Sequence, residues 1–514
     1  MLNAKYKYAN ASPLQLILQN INTRMLRPYV RKILHCLVIP IAILAIAEKS
    51  YAATSGVCAS QLKAEVNKIA QDPKLQFSRL GVFAQTLTPS SQISIDLDGD
   101  RYFIPASNAK LLTTAAALKL LGGDYRITTS LMSDQHPNAN GEIAGDLWLI
   151  GRGDPSFRSE TSLKLLVKQL ADRGIKRIRG KIRTLSSLQG SGIGDRWEWQ
   201  DLQEYYGAIA SAFTIDENAL LWTISPTQVG KPVQFQWEQP QLANSWIVEN
   251  QATTGSTNRE SSLQVERPFG QRRLMIRGQL AQDAEPELGG VALPDPEAQF
   301  LILLRMELAN QGIQIDSNSN SSLNPNNSQP KVELARVLSP PLRSLLQTTN
   351  KDSNNLYAEL LLRILGSRTH EVENDDLNAG ILIATKFLKS IGLSDRSFLL
   401  VDGSGLSRSN LITPRAMVLL LKVMASDRDF RNSLSVAGVD GTLTNRFKDT
   451  PAAGILQGKT GTMSGVIALS GYVKPSGYDE IAFTIFINNG NLPTRELRPF
   501  IDAIALLLAN LKSC

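Results

Sequence analysis

Ser107 and Lys110 stand three residues apart in Pro105-Ala106-Ser107-Asn108-Ala109-Lys110, just before residues 111–121, a run of strong helix formers stopped by Gly122-Gly123. At the start of a helix this spacing projects both side chains from one face, about one turn apart. A serine hydroxyl is a weak nucleophile until a base takes its proton, and a lysine can take it only when uncharged. Burial and a second nearby cation both lower a lysine pKa, and a helix N-terminus favours developing negative charge. The pattern S-x-x-K says little by itself. Ser60-Gln61-Leu62-Lys63 also fits it and reads as a helix surface, and Ser107 alone could be an N-cap serine beside an exposed lysine.

Two further patterns add to it. Ser353-Asn354-Asn355, within Lys351-Asp352-Ser353-Asn354-Asn355-Leu356, opens a helical stretch. A second hydroxyl there can relay protons between the lysine and a leaving amine. The Asn355 amide can hold a lysine and accept a substrate N–H. S-x-N is common; Ser322-Leu323-Asn324 matches within an Asn-rich loop and carries no chemistry. Lys459-Thr460-Gly461-Thr462 occurs once, ahead of the apolar run 465–473. At the head of an edge strand it offers a cationic, hydroxyl-lined slot for a carboxylate, and Gly461 lets a substrate backbone come close.

The elements that must position these groups follow from periodicity. Residues 58–71 read as a helix, 80–87 and 92–96 as strands, and Asp98-Gly99-Asp100 as a turn. From about 124 to 335 the texture changes to short alternating segments rich in Gly and Pro, with candidate strands at 143–150 and 233–237 and a helix at 162–173. The Asn/Ser-dominated stretch 317–329 reads as a solvated boundary loop. Residues 340–366 and 413–426 look helical. Runs 465–473 and 481–487, separated by Pro475-Ser476-Gly477, form a hairpin, and 494–512 an amphipathic terminal helix. Strands and helices at both ends with a different middle imply one α/β domain interrupted by a large insertion.

Composition narrows the chemistry. The 514 residues are 20% charged and 43% hydrophobic, enough for two or three packed domains and too apolar for a disordered chain. Only His35, His136 and His370 occur, none in H-E-x-x-H or Cys-x-x-Cys company, so no metal or cofactor is expected and a hydrolytic base would not be histidine. Residues 33–47 form an apolar run behind Arg24, Arg27, Arg31 and Lys32, and Ser50-Tyr51-Ala52 supplies a cleavage site. Residues 1–52 thus read as a secretory leader, with an uncleaved anchor the alternative and a start at Met25 giving conventional proportions. Without residues 1–52 the chain keeps 47 basic and 46 acidic residues, a net charge of +1, so no nucleic-acid partner is implied. Cys58 and Cys514 then remain near the two ends, either bridged in an oxidising compartment or as free thiols.

Taken as an ordered set, S-x-x-K, S-x-N and K-T-G are the signature of penicillin-binding proteins and serine β-lactamases. Ser107 and Ser353 lie 246 residues apart, whereas compact β-lactamases carry only a short insert between these motifs. Leu147-Trp148-Leu149-Ile150-Gly151-Arg152-Gly153-Asp154-Pro155, Asp402-Gly403-Ser404-Gly405-Leu406-Ser407-Arg408 and Val436-Ala437-Gly438-Val439-Asp440-Gly441-Thr442-Leu443 match as well. Over nearly the whole chain after the leader, the sequence resembles the class C low-molecular-mass penicillin-binding proteins, the D-alanyl-D-alanine carboxypeptidase/endopeptidase family.

The resemblance implies a transpeptidase/β-lactamase-like α/β domain, an antiparallel sheet with helices on both faces, formed by 53–123 and 336–514. Two β-rich domains, one nested in the other, would occupy 124–335. It implies an acyl-enzyme on Ser107 with Lys110 as base and Ser353 as relay. Asn355 would bind the peptide, and Lys459, Thr460 and Thr462 its terminal carboxylate, with an oxyanion hole from the N–H groups of Ser107 and Thr462. By the same similarity, Asp201 of Trp199-Gln200-Asp201 and Arg408, with Tyr206 nearby, would line the pocket for a zwitterionic side chain such as meso-diaminopimelate. The implied partners are peptidoglycan peptides ending in D-Ala-D-Ala or D-Ala-meso-diaminopimelate crosslinks, and β-lactam inhibitors. The place would be the periplasm, reached across the bacterial inner membrane, with membrane contact only through an uncleaved leader. A serine β-lactamase, a D-amino-acid esterase and a non-catalytic envelope scaffold are the competing readings.

Overall fold

The computed structural model describes residues 56–88, 94–258, 260–316, 330–369 and 371–514. The leader, the loop 317–329 and His370 lie outside the described residues, and His136 is an exposed loop residue. No helix among the described residues is long and apolar enough to cross a membrane.

A six-stranded sheet organises the two ends of the chain, in the order Ser435–Val436, Leu456–Met463, Val466–Val473, Ile481–Asn488, Arg79–Thr86, Ser94–Leu97. Every neighbouring pair is antiparallel. The hairpin of the second and third of these strands comes directly from the K-T-G segment and the apolar run after it. All eight residues of Ile481–Asn488 are buried. Ile481, Phe483, Ile485 and Ile487 pack toward the helices Leu62–Ala70 and Thr494–Ala509. Ala482 and Phe486 pack toward a second core containing the helices Lys110–Leu121, Leu342–Lys351, Asn355–Gly366, Asp376–Ser390 and Pro414–Met424. A sheet covered on both faces needs apolar residues at both parities, which explains the continuous run in place of alternation.

The segment between carries two further cores. One joins the four-stranded sheet Val332–Leu338, Thr128–Ser133, Leu147–Gly151, Ile182–Ser186 to the helices Lys164–Asp172 and Pro296–Asn310. The other is built on the three strands Gln234–Trp237, Ala219–Ser225 and Glu287–Ala292, together with Leu274 and Ile276, and lies in sequence within the first. Several expectations change here. The strand read at 143–150 is two strands, Glu142–Ile143 and Leu147–Gly151. The helical stretch 340–366 is two helices, Leu342–Lys351 and Asn355–Gly366, because Ser353 between them sits at φ 60° and breaks the turn. The helices read at 58–71 and 494–512 are shorter, Leu62–Ala70 and Thr494–Ala509, because Val57–Cys58 and Leu511–Lys512 beside them form a short parallel strand pair, and Cys58 is bonded to Cys514.

Candidate active site

Ser107 lies on a 3₁₀ turn, Ala106–Ala109, that runs straight into the helix Lys110–Leu121. Ala106 holds φ 47°, a left-handed conformation that a side chain adopts only when its surroundings enforce it. Two glycines do so. A Cβ at Gly405 would fall 2.0 Å from the Ala106 carbonyl oxygen, and one at Gly461 would fall 2.7 Å from that of Pro105. The close approach expected of Gly461 is thus made, within this structure, by the serine's own turn. Asn108 fastens the same turn to the sheet by donating to Ser470 Oγ at 2.6 Å.

Lys110 has no exposed surface. Its Nζ donates to Ser107 Oγ at 3.0 Å, Asn355 Oδ1 at 2.6 Å and the Ser404 carbonyl at 2.7 Å. Burial lowers it to about 7, against the attraction of Asp402 and Glu359. The amine therefore spends much of its time uncharged at neutral pH while already bonded to the hydroxyl it would deprotonate. Lys459, equally buried, donates to Ser353 Oγ at 2.8 Å and to the Thr460 carbonyl at 2.7 Å. Burial pushes it well below its ordinary value, Lys110 adds to the effect and Asp352 opposes it. Each lysine holds one serine hydroxyl, and Ser353-Asn354-Asn355 links the two.

The strand Leu456–Met463 pairs on its outer side with Ser435–Val436 only at Gln457 and Gly458. From Lys459 onward that side has no strand partner among the described residues. An open edge with half-buried Thr460 and Thr462 can accept an extended peptide as an added strand. Thr460 Oγ1 donates to Thr442 Oγ1 at 2.8 Å, tying the slot to the Val436–Leu443 motif.

Asp201, Tyr206 and Arg408 sit beside these groups. The Tyr206 hydroxyl donates to Asp201 Oδ1 at 3.2 Å, and its backbone carbonyl accepts Asn355 Nδ2 at 2.9 Å. Burial raises Asp201 to about 6 against the Tyr206 bond; Glu198 adds to the rise and Arg408 opposes it. Arg408 donates to the Ser464 carbonyl at 2.9 Å, at the end of the K-T-G strand, and its Nε lies 4.0 Å from Glu198.

Sequence reasoning gave no role to two acids beneath the lysine. Glu359 Oε1 accepts the N–H groups of Gly403 and Ser404 at 2.9 and 2.8 Å, which fixes the carbonyl that receives Lys110. Asp402 accepts from Gly405 N, Ser407 N, Asn410 Nδ2 and Trp197 Nε1. Burial, with Asp402 close by, raises Glu359 to about 7, and burial raises Asp402 too. The signal was available: Glu359 and Arg363 are an i, i+4 pair inside an otherwise apolar run, and every residue of that helix is buried.

Comparison with known proteins places this arrangement. The family model described as D-Ala-D-Ala carboxypeptidase 3 (S13) matches residues 62–511. A D-alanyl-D-alanine carboxypeptidase of an Actinomadura species is 32% identical over 479 residues, covering 90% of this chain and 87% of the relative. The D-alanyl-D-alanine carboxypeptidase DacB of Haemophilus influenzae is 28% identical, over 82% of this chain and 88% of its own. The crystal structure of penicillin binding protein 4 from Haemophilus influenzae superposes with a TM-score of 0.73 at 27% identity, covering 86% of this chain and 98% of that one. The same protein complexed with a β-lactam gives a TM-score of 0.69 at 25% identity, over 87% of this chain and 99% of that one. With its buried Ser107–Lys110 pair and its open K-T-G edge, the chain belongs to the D-Ala-D-Ala carboxypeptidase 3 (S13) family.

Proposed function

We propose that this protein is a serine DD-peptidase that hydrolyses peptidoglycan stem peptides at a D-Ala carbonyl through an acyl-enzyme on Ser107. The observation that carries the reading is a fully buried lysine, lowered to about 7, bonded to the Ser107 hydroxyl at 3.0 Å. Lys110 Nζ takes the Ser107 proton as Oγ attacks the penultimate D-Ala carbonyl, and the oxyanion rests on the N–H groups of Ser107 and Thr462. Ser353 passes the proton to the departing amine, which leaves as D-alanine or as a crosslinked strand. Water then attacks the ester, giving a proton to Lys110, which hands it to Ser107 Oγ as the shortened peptide leaves, restoring both residues. Asn355 orients the peptide along the open edge. Thr460 and Thr462 receive the terminal carboxylate, with Lys459 behind them. β-Lactams acylate the same oxygen and stay, since the opened ring blocks water.

The finer assignments extend the same reading. Asp201 would take the ammonium and Arg408 the carboxylate of a meso-diaminopimelyl side chain, favouring D-Ala-D-Ala ends and D-Ala-meso-diaminopimelate crosslinks in that context. The Cys58–Cys514 bond suits an oxidising compartment, and with the leader-like residues 1–52 it supports secretion to the periplasm. Incubation with purified crosslinked and uncrosslinked muropeptides, with products resolved by mass, is expected to show D-Ala release or strand separation that Ser107→Ala abolishes. Penicillin labelling or release that survives Ser107→Ala would overturn the reading.

A further inference from the structure

Residues Asp216, Glu217 and Asn218, in the inserted segment, hold φ of 47°, 57° and 53°, three consecutive left-handed residues without a glycine. Such a conformation persists only where neighbours over-determine it. Two of the three are fixed within the insertion. Asp216 accepts Ser159 N at 3.0 Å and donates its own N–H to the Phe157 carbonyl at 3.0 Å. Asn218 Oδ1 accepts Ile215 N at 3.0 Å, and its Nδ2 donates to the Ile209 carbonyl at 2.8 Å. Glu217 reaches outward. One carboxylate oxygen pairs with Arg158, and the other accepts Asn354 Nδ2 at 2.7 Å.

Asn354 is the middle residue of Ser353-Asn354-Asn355 and the N-cap of the helix Asn355–Gly366, its Oδ1 accepting Tyr357 N at 3.2 Å. One end of its amide therefore holds the helix and the other holds Glu217. On one side of it Ser353, itself at φ 60°, meets Lys459; on the other Asn355 meets Lys110 and the Tyr206 carbonyl. The left-handed turn thus presents a carboxylate to the residue that stands between Ser353, a partner of Lys459, and Asn355, a partner of Lys110. Arg158 follows shortly after the Leu147–Pro155 motif, which otherwise has no part in the site.

We propose that Glu217 is a positioning residue for the reaction, acting through Asn354 to set the Ser353 hydroxyl and the Asn355 amide, so that the insertion completes the catalytic geometry. The inference rests on the acyl-enzyme reading above.

The test exchanges donor and acceptor. Glu217→Gln weakens the acceptor, and Asn354→Asp replaces the donor by a second carboxylate while keeping a good helix cap. Acylation by fluorescent penicillin and D-Ala release are measured on the full chain, with thermal unfolding alongside. Each single variant is expected to lose about ten- to a hundredfold in acylation rate, in kcat more than in KM. Both also lower the melting temperature, Glu217→Gln by breaking its pair with Arg158 and Asn354→Asp by setting two carboxylates together. The double variant Glu217→Gln/Asn354→Asp rebuilds the contact in reverse and is expected to recover to within about threefold of the parent. Single variants within twofold of the parent, or a double variant as slow as the product of its singles, would overturn the proposal. Loss of labelling in Ser107→Ala, run in parallel, keeps a failure of this inference distinct from a failure of the acyl-enzyme reading.

Discussion

The catalytic centre of the six-stranded sheet domain and the small sheet of the insertion around Arg273–Arg277 handle charge differently. In the first, Lys110, Lys459, Glu359 and Asp402 have no exposed surface. In the insertion, the small sheet around Arg273–Arg277 wears its charges outside, as in the half-exposed pair Arg273–Glu249. Burying charge is costly unless it is paired and hydrogen-bonded, whereas exposed pairs contribute little. The sheet domain accepts that cost where it turns a lysine into a base. Elsewhere in the insertion Asp154 and Glu307 are buried, and Glu217, Glu204 and Asp201, at its seam with the catalytic residues, are half-buried.

The contrast can be attacked by mutation, beginning with the strongest effect. Lys110→Ala is expected to cut the penicillin acylation rate by about 10²–10⁴, the range of a lost general base, measured by stopped-flow labelling. In the parent, acylation should rise with pH through about 7, because the lysine acts only after losing its proton; a rate that falls across this range would remove Lys110 from the role. Gly405→Ala should follow. Its Cβ would strike the Ala106 carbonyl at a backbone φ of 81°, so about 1–3 kcal/mol of stability and much of the acylation rate should go together.

Asp201→Ala should be smaller and selective, costing about ten- to a hundredfold in kcat/KM for diaminopimelyl peptides and little for neutral-capped ones. With the parent, that preference should fade as pH drops below about 6 and the carboxylate takes up a proton; an unchanged preference in either experiment would reject the pocket. Arg273→Ala, at the exposed pair, should alter stability by about 1 kcal/mol or less and leave kcat/KM within twofold. A large effect there would mean that the insertion's surface charge matters more than its seam.

Much of the catalytic centre could be read from the amino acids. Ser107, Lys110 and Asn355 form one set of hydrogen bonds and Ser353 and Lys459 another, joined through the segment 353–355, because three short patterns each constrain side chains that a helix start or a strand edge can bring together. The break at Ser353 could not be read. A serine at positive φ is imposed by its surroundings, and local propensity carries no trace of it. Glu359 stood out as a charge in an apolar helix, but its partners Gly403 N and Ser404 N, like those that Asp402 takes from Gly405, Ser407, Asn410 and Trp197, come together only in the folded chain. In the insertion, Ile143 and the fully buried strand Leu147–Gly151 flank a bend at Ala144 and Gly145, and the nearly continuous apolar run across it read as one strand. Cys58 and Cys514 are 456 positions apart, and sequence alone left their pairing open.

That bond, beside the parallel pair of end strands, makes residues 58–514 a covalent ring. A protease that nicks one surface loop would open the ring without freeing a fragment, and both halves would migrate as one species until a reductant is added. The same adjacency marks residues 56–514 as a candidate for circular permutation: linking residue 514 to residue 56 and opening the chain at a loop of the insertion should preserve the contacts around the serine.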